Sequence, residues 1–141
     1  MNKKKTLSFA MGICALTLGI IGPTSINASN DNWAYSFTIK PNQANSRSDP
    51  RYRETTNDKN QWKVRMTASG EGTGTITRFW LEIKDGTNVS PSVNVKQAYD
   101  TYYYRDAYSN ARKTNVYLTA ENNNYNNNTY AVSGSWDEEV N

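Results

Sequence analysis

Three features of the sequence predict an all-β fold, a small antiparallel β-sandwich or partly open barrel of five to seven strands. Large apolar side chains alternate with polar ones at period two in one segment after another. Clusters of Gly, Asn, Asp and Pro separate these segments, and beyond residue 28 no stretch carries a long helical stripe. Strands with one apolar face each, joined by polar turns, bury those faces by stacking two sheets or by closing one.

The chain has 141 residues. Lys3, Lys4 and Lys5, the uncharged and mostly apolar run Leu7 to Gly22, Pro23 and then Ile26-Asn27-Ala28 predict a secretory signal peptide over 1–28, cleaved after Ala28. The run is too short and too poorly flanked for a membrane span, so no stable membrane anchoring is expected. Cys14, the single cysteine, lies inside it, and Met11-Gly12-Ile13 makes a poor lipobox before it. The part from 29 to 141 reads as one secreted domain without cysteine. Three of the 16 basic residues and none of the 13 acidic ones fall in the leader, so the domain carries no net charge. Leu, Ile, Val and Phe number only 14 in it, a level at which a strongly charged chain stays disordered. Charge balance and 16 aromatic residues decide for folding, since each ring brings roughly 150 to 250 Å² of buriable surface.

Trp33, Tyr35, Phe37 and Ile39 alternate with small or polar residues and predict the first strand. The polar stretch 41–60, with Pro50 and the arginines 47, 51 and 53, reads as a long loop. Trp62, Val64, Met66 and Ala68 predict a strand, and Gly70-Glu71-Gly72-Thr73-Gly74 predicts a hairpin to the next, Thr75 to Lys84, with Phe79, Leu81 and Ile83 inward. Pairing Ala68 with Thr75 sets Val64 opposite Phe79 and Trp62 opposite Leu81. Asp85-Gly86 marks a turn, and Val93 and Val95 a short strand after Pro91. Across 97–112 the tyrosines fit neither a helical stripe nor strict alternation, so an irregular or short helical crossover is expected. A second hairpin is expected from Lys113–Glu121 and Thr129–Trp136, joined by the Asn-rich loop 122–128, with Ala120 opposite Tyr130. Residues 137–141 read as a solvated acidic tail.

Composition removes several function classes. Without His, and with its one Cys in the leader, the domain lacks imidazole bases, thiol nucleophiles and ordinary zinc ligands. Zero net charge gives no general hold on nucleic acid. The glycine-rich turn lacks the Lys and following helix of a phosphate loop. Carboxylates remain as catalytic material, Asp100 with Asp106 or Asp137 with Glu138 and Glu139. Nothing marks either set as the opposed pair that glycoside hydrolysis needs. The expectation is a protein that is no enzyme and uses neither cofactor nor metal.

Candidate binding residues come from the outward faces. Trp80 lies opposite Phe79 and Leu81 on its strand, beside Arg78, and Tyr117 stands on the same kind of face beside Asn115. An exposed ring flanked by guanidinium and amide groups suits a sugar, whose apolar face stacks while its hydroxyls are bonded. Trp80, Tyr117, Arg78 and Asn115 are the expected ligand-binding residues, with Tyr103 as a fifth. The alternative is that Trp80 packs as a second core layer under the Tyr99 to Tyr108 segment. That segment itself reads equally as a rigid tyrosine platform or a packed crossover.

Trp33-Ala34-Tyr35-Ser36-Phe37, Arg51 to Asn57, Gln61-Trp62-Lys63-Val64, Gly74 to Leu81, Ala120 to Tyr125 and Ser133 to Glu139 resemble a family of small secreted Gram-positive proteins known only as a domain of unknown function. The resemblance spans nearly the whole domain, is weakest over 84–113, and implies export and a single domain but no site residues. In architecture alone the chain is similar to the lactococcin-972-like bacteriocins. The expected function is that of a non-enzymatic extracellular binding protein. Its expected partner is cell-wall polymer, another extracellular glycan or a surface protein. The alternatives are a bacteriocin-like antagonist, and a matrix or fibre subunit assembling through the Asn tract. Nothing in the sequence sets an oligomeric state.

Overall fold

The computed structural model describes residues 30–140; the leader expected over 1–28 lies outside the described residues. The fold is all-β, an open sandwich of two four-stranded antiparallel sheets. The strands are β1 (Trp33–Ile39), β2 (Ser46–Arg53), β3 (Trp62–Ser69), β4 (Ile76–Glu82), β5 (Val93–Lys96), β6 (Tyr103–Arg105), β7 (Thr114–Asn122) and β8 (Tyr130–Asp137). Short 3₁₀ turns cover Pro41–Gln43 and Ser109–Ala111. The first sheet runs β1-β8-β3-β6 and the second β2-β7-β4-β5.

Eight strands exceed the expected five to seven because β2 and β6 carry no apolar alternation. β2 replaces the long loop read over 41–60. It is an edge strand, where Pro50 needs no ladder partner for its missing N–H. The register shifts between Arg47 and Pro50, and at that bulge the Ser48 hydroxyl takes the Leu118 N–H at 3.0 Å in place of a backbone carbonyl. β6 is a three-residue edge against Trp62–Val64, within the crossover expected to be irregular or helical.

Neither expected hairpin forms. β3 pairs with β8 and β6, β4 with β7 and β5, so the glycine-rich turn carries the chain from one sheet to the other. The Asn-rich loop does the same between β7 and β8, which lie in different sheets. Alternation identifies which side chains point inward but not which sheet a strand joins, and inward faces meet equally well across the roughly 10 Å between layers. Every inward residue named for these strands except Ala68 is therefore in the core or packed against it.

That core is built from rings. Tyr35, Trp62 and Trp136 of the first sheet and Phe79 of the second are buried, and Tyr35 meets Phe79 edge-on across the layers at 5.7 Å. The Tyr130 and Thr77 hydroxyls, 3.2 Å apart, form a polar tie between the same layers.

The acidic tail is not solvated. Asp137, Glu138 and Glu139 are buried and fold back against the segment after β2, where the Glu139 carboxylate accepts the N–H groups of Glu54 and Thr55, both at 2.9 Å. Fully buried Arg53 donates to the carbonyls of Glu138 and Asn60, and Val140 N–H bonds the Gln61 carbonyl at 2.7 Å.

Candidate functional site

Four of the five expected binding residues share the outer face of the second sheet: Arg78 and Trp80 on β4, Asn115 and Tyr117 on β7. Trp80 points outward as the alternation requires, yet it is only 6% exposed. Its indole N–H donates to Glu82 Oε1 at 2.8 Å, and the same oxygen takes the Asn45 amide at 3.1 Å. Arg47 pairs with Glu82 and lies 5.7 Å from the centre of the Tyr117 ring. The exposure expected of Trp80 is thus corrected. The Glu82 carboxylate it bonds is shared with Asn45 and Arg47, residues preceding and opening β2, the strand read as loop. Arg78 is engaged by Glu121 at 2.8 Å. Asn115 stays exposed beside a shallow groove with Ile83 and Lys84, and its cross-strand neighbour Tyr52 is 45% exposed. Tyr103 is in the other sheet, packed partly against the core. The five residues do not form one site.

Two exposed rings, Tyr99 and Tyr104, stand with Tyr102 at the edge of the first sheet. The chain after β5 runs beside β3, held by the Ala98 N–H on the Met66 carbonyl at 2.9 Å, and ends as β6. Tyr99, Tyr102 and Tyr104 are thereby set against Lys63 and Arg65, the outward residues of β3. Arg65 Nε donates to Ser135 Oγ at 2.9 Å and Nη1 to the Tyr99 carbonyl at 3.0 Å. Its guanidinium carbon lies 4.7 Å from the Tyr102 ring centre and 5.7 Å from that of Tyr99, both within cation–π range. The Tyr102 and Ser135 hydroxyls meet at 2.9 Å, and Tyr104 lies 6.4 Å from Tyr102, centre to centre. Tyr99 and Tyr104 remain 74% and 43% exposed. Beside this ridge the outer faces of β1 and β8 carry Ala34, Ser36, Thr38, Ala131 and Ser133, a floor of small side chains, with Ser135 and Asp137 of β8 set against Arg65 and Lys63.

A second concavity of about 190 Å³ opens between β1 and β2. Its lining includes Tyr35, Phe37 and Trp136 on one side and Arg47, Asp49 and Arg51 on the other, with Asp49 as its one acid. The carboxylate pair sought in the sequence is absent from it.

Burial perturbs two acids of the closing segment, Asp137 and Glu138. Burial, helped by the Asp137 and Glu139 charges, pushes the Glu138 carboxyl up to about 7. Burial raises Asp137 as well, opposed by the backbone N–H of Glu139 and by Lys63, whose Nζ is 3.8 Å from Oδ2. Arg53 is lowered by burial and held up by Glu139 and Glu138. These groups hold one another and the backbone of the segment after β2. Among the described residues no three His, Cys, Asp or Glu side chains are grouped to hold a metal ion.

Sequence reasoning marked the tyrosine segment but missed Arg65. Its outward position was legible from the alternation around Val64 and Met66; the approach of the tyrosines to β3 was not, because three residues of polar edge strand leave no periodic trace.

Fold and ridge together define a small two-layer β-protein with an outward tyrosine and arginine surface. The chain belongs to the family described as "Protein of unknown function (DUF2712)", whose model matches residues 22–140. No curated protein and no solved structure matches the chain. Among the described residues no helix is long and apolar enough to cross a membrane.

Proposed function

We propose that this protein is exported by a Gram-positive bacterium, released by cleavage after Ala28, and binds cell-wall polymer or another extracellular glycan without catalysing a reaction. The observation that carries this reading is the ridge itself: Tyr99 and Tyr104 stand in solvent beside an arginine already fixed in place, above a floor free of bulky side chains. A ring offers the apolar side of a pyranose a rigid surface at small entropic cost, and neighbouring polar groups bond its hydroxyls. The stacking role moves with the exposure, from Trp80 and Tyr117 to Tyr99, Tyr102 and Tyr104.

The alternatives have less behind them. The asparagines of 122–128 bond one another and nearby backbone: the Asn122 amide donates to Asn126 Oδ1 at 2.9 Å and Asn42 N–H to the Asn126 carbonyl at 2.7 Å. A fibre ladder needs those groups for a second chain. The antagonist reading rests on architecture alone.

The test is retention of labelled protein on purified cell wall and immobilised polysaccharides. Replacing Tyr99 or Tyr104 by Ala should weaken retention about fivefold each, the loss of roughly 1 kcal/mol of stacking. Trp80→Phe should leave it unchanged. Equal retention of both tyrosine variants and the wild type, with the fold intact, removes the reading.

A further inference from the structure

Arg65 is held unusually well for a surface cation that neutralises nothing. The ion pairs of the described residues take Arg47, Lys59, Lys63, Arg78 and Arg112, and Arg65 is in none of them. Asp100, the acid nearest the ridge in sequence, is exposed and enters no ion pair either. Two hydrogen bonds, to Ser135 Oγ and the Tyr99 carbonyl, use two of the five N–H groups a guanidinium carries. The remaining donors belong to a group whose orientation is already set by those bonds and by two neighbouring rings. Such a cation has little left to lose in conformational freedom when an anion arrives. Its planar donor fork matches a carboxylate or phosphate better than a lone hydroxyl.

Resting on the glycan-binding reading, we infer that the ridge prefers an acidic glycan: a saccharide with a carboxylate or phosphate within reach of Arg65 while its ring faces stack on Tyr99, Tyr102 and Tyr104. Lys63 contributes no comparable free charge, because its ammonium is engaged by Asn30 and lies near Asp137. The acidic group is therefore assigned to Arg65 alone, and the neutral hydroxyls to the serine and threonine floor.

The experiment is affinity electrophoresis of the purified protein through gels containing polygalacturonate, a wall teichoic acid or a neutral galactan, at low and at high salt. Wild type should be retarded about tenfold more strongly by at least one acidic polymer than by the galactan, an arginine–anion bond's share of roughly 1.4 kcal/mol. High salt should erase the difference. Uronate against teichoic acid tells carboxylate from phosphate, and preference for either supports the inference. Arg65→Gln should abolish the preference, so that acidic and neutral polymers retard the variant alike, while Arg65→Lys should retain part of it. Equal retardation by acidic and neutral polymers, or a preference insensitive to salt, overturns the inference; both are read on wild type, so a variant that fails to fold does not blunt the test. Absence of binding to all three polymers instead removes the glycan reading beneath it.

Discussion

Gly134 is the residue at which the first sheet tolerates least. It pairs with Tyr35 on one side and Met66 on the other, and a Cβ there would stand 2.0 Å from the Arg65 carbonyl oxygen and 2.9 Å from the Tyr35 hydroxyl. That hydroxyl donates to the same carbonyl at 3.0 Å, so a polar bond occupies the space a side chain would take. Gly134→Ala should therefore cost about 3 kcal/mol, at the upper end of ordinary overpacking, because the obstacle is backbone and cannot rotate away. The urea midpoint would fall accordingly, and an unchanged midpoint would contradict the packing described. The sequence shows Gly134 inside an apolar alternation but not why: the close neighbour belongs to β3, a strand that alternation alone assigned to a different partner.

The closing segment of the chain behaves as an element in its own right, a clasp of Asp137, Glu138 and Glu139 over Arg53 and the turn that follows β2. Glu138 holds its proton up to about pH 7 in the folded protein against an ordinary value of 4.5. Between those values the native state binds more protons than the unfolded chain, so this group should lower stability as pH rises from about 4.5 to about 7, by roughly 1 to 3 kcal/mol, and contribute no slope of its own outside that window. Asp137, also raised by burial, acts in the same direction. Thermal melts across this range should show the slope, and Glu138→Gln should flatten most of it; a slope of opposite sign would refute the assignment. Three consecutive acids read as a solvated tail because burying a carboxylate is costly unless partners are supplied. The partners here are Arg53 of β2, the N–H groups of Glu54 and Thr55 just after it, and Lys63 of β3, all far along the chain from the acids. The same blindness hid the ridge: the tyrosines were visible as a cluster, while Arg65, Ser135 and the edge position of β6 required the pairing to be known. Apolar alternation in β1, β3, β4, β5, β7 and β8 was legible throughout, since it depends only on which face meets the core.

At the scale of the whole molecule, nearly every connection passes from one layer to the other. Only β4 and β5 are consecutive in the chain and neighbours in a sheet. Such a topology pays the entropy of long loops before contacts reward it, so refolding should take milliseconds to seconds, well short of the speed of a helical bundle. Stopped-flow tryptophan fluorescence would measure this, with Trp62 and Trp136 reporting burial; a microsecond phase carrying the full amplitude would contradict it. The position of β8 between β1 and β3 has a further consequence. Until Tyr130–Asp137 has been synthesised, the first sheet has no centre, and β1 waits through some ninety residues for the strand it will bond. A nascent chain of this kind stays slack until its eighth strand is made, and only then can the layer that carries the tyrosines harden into shape.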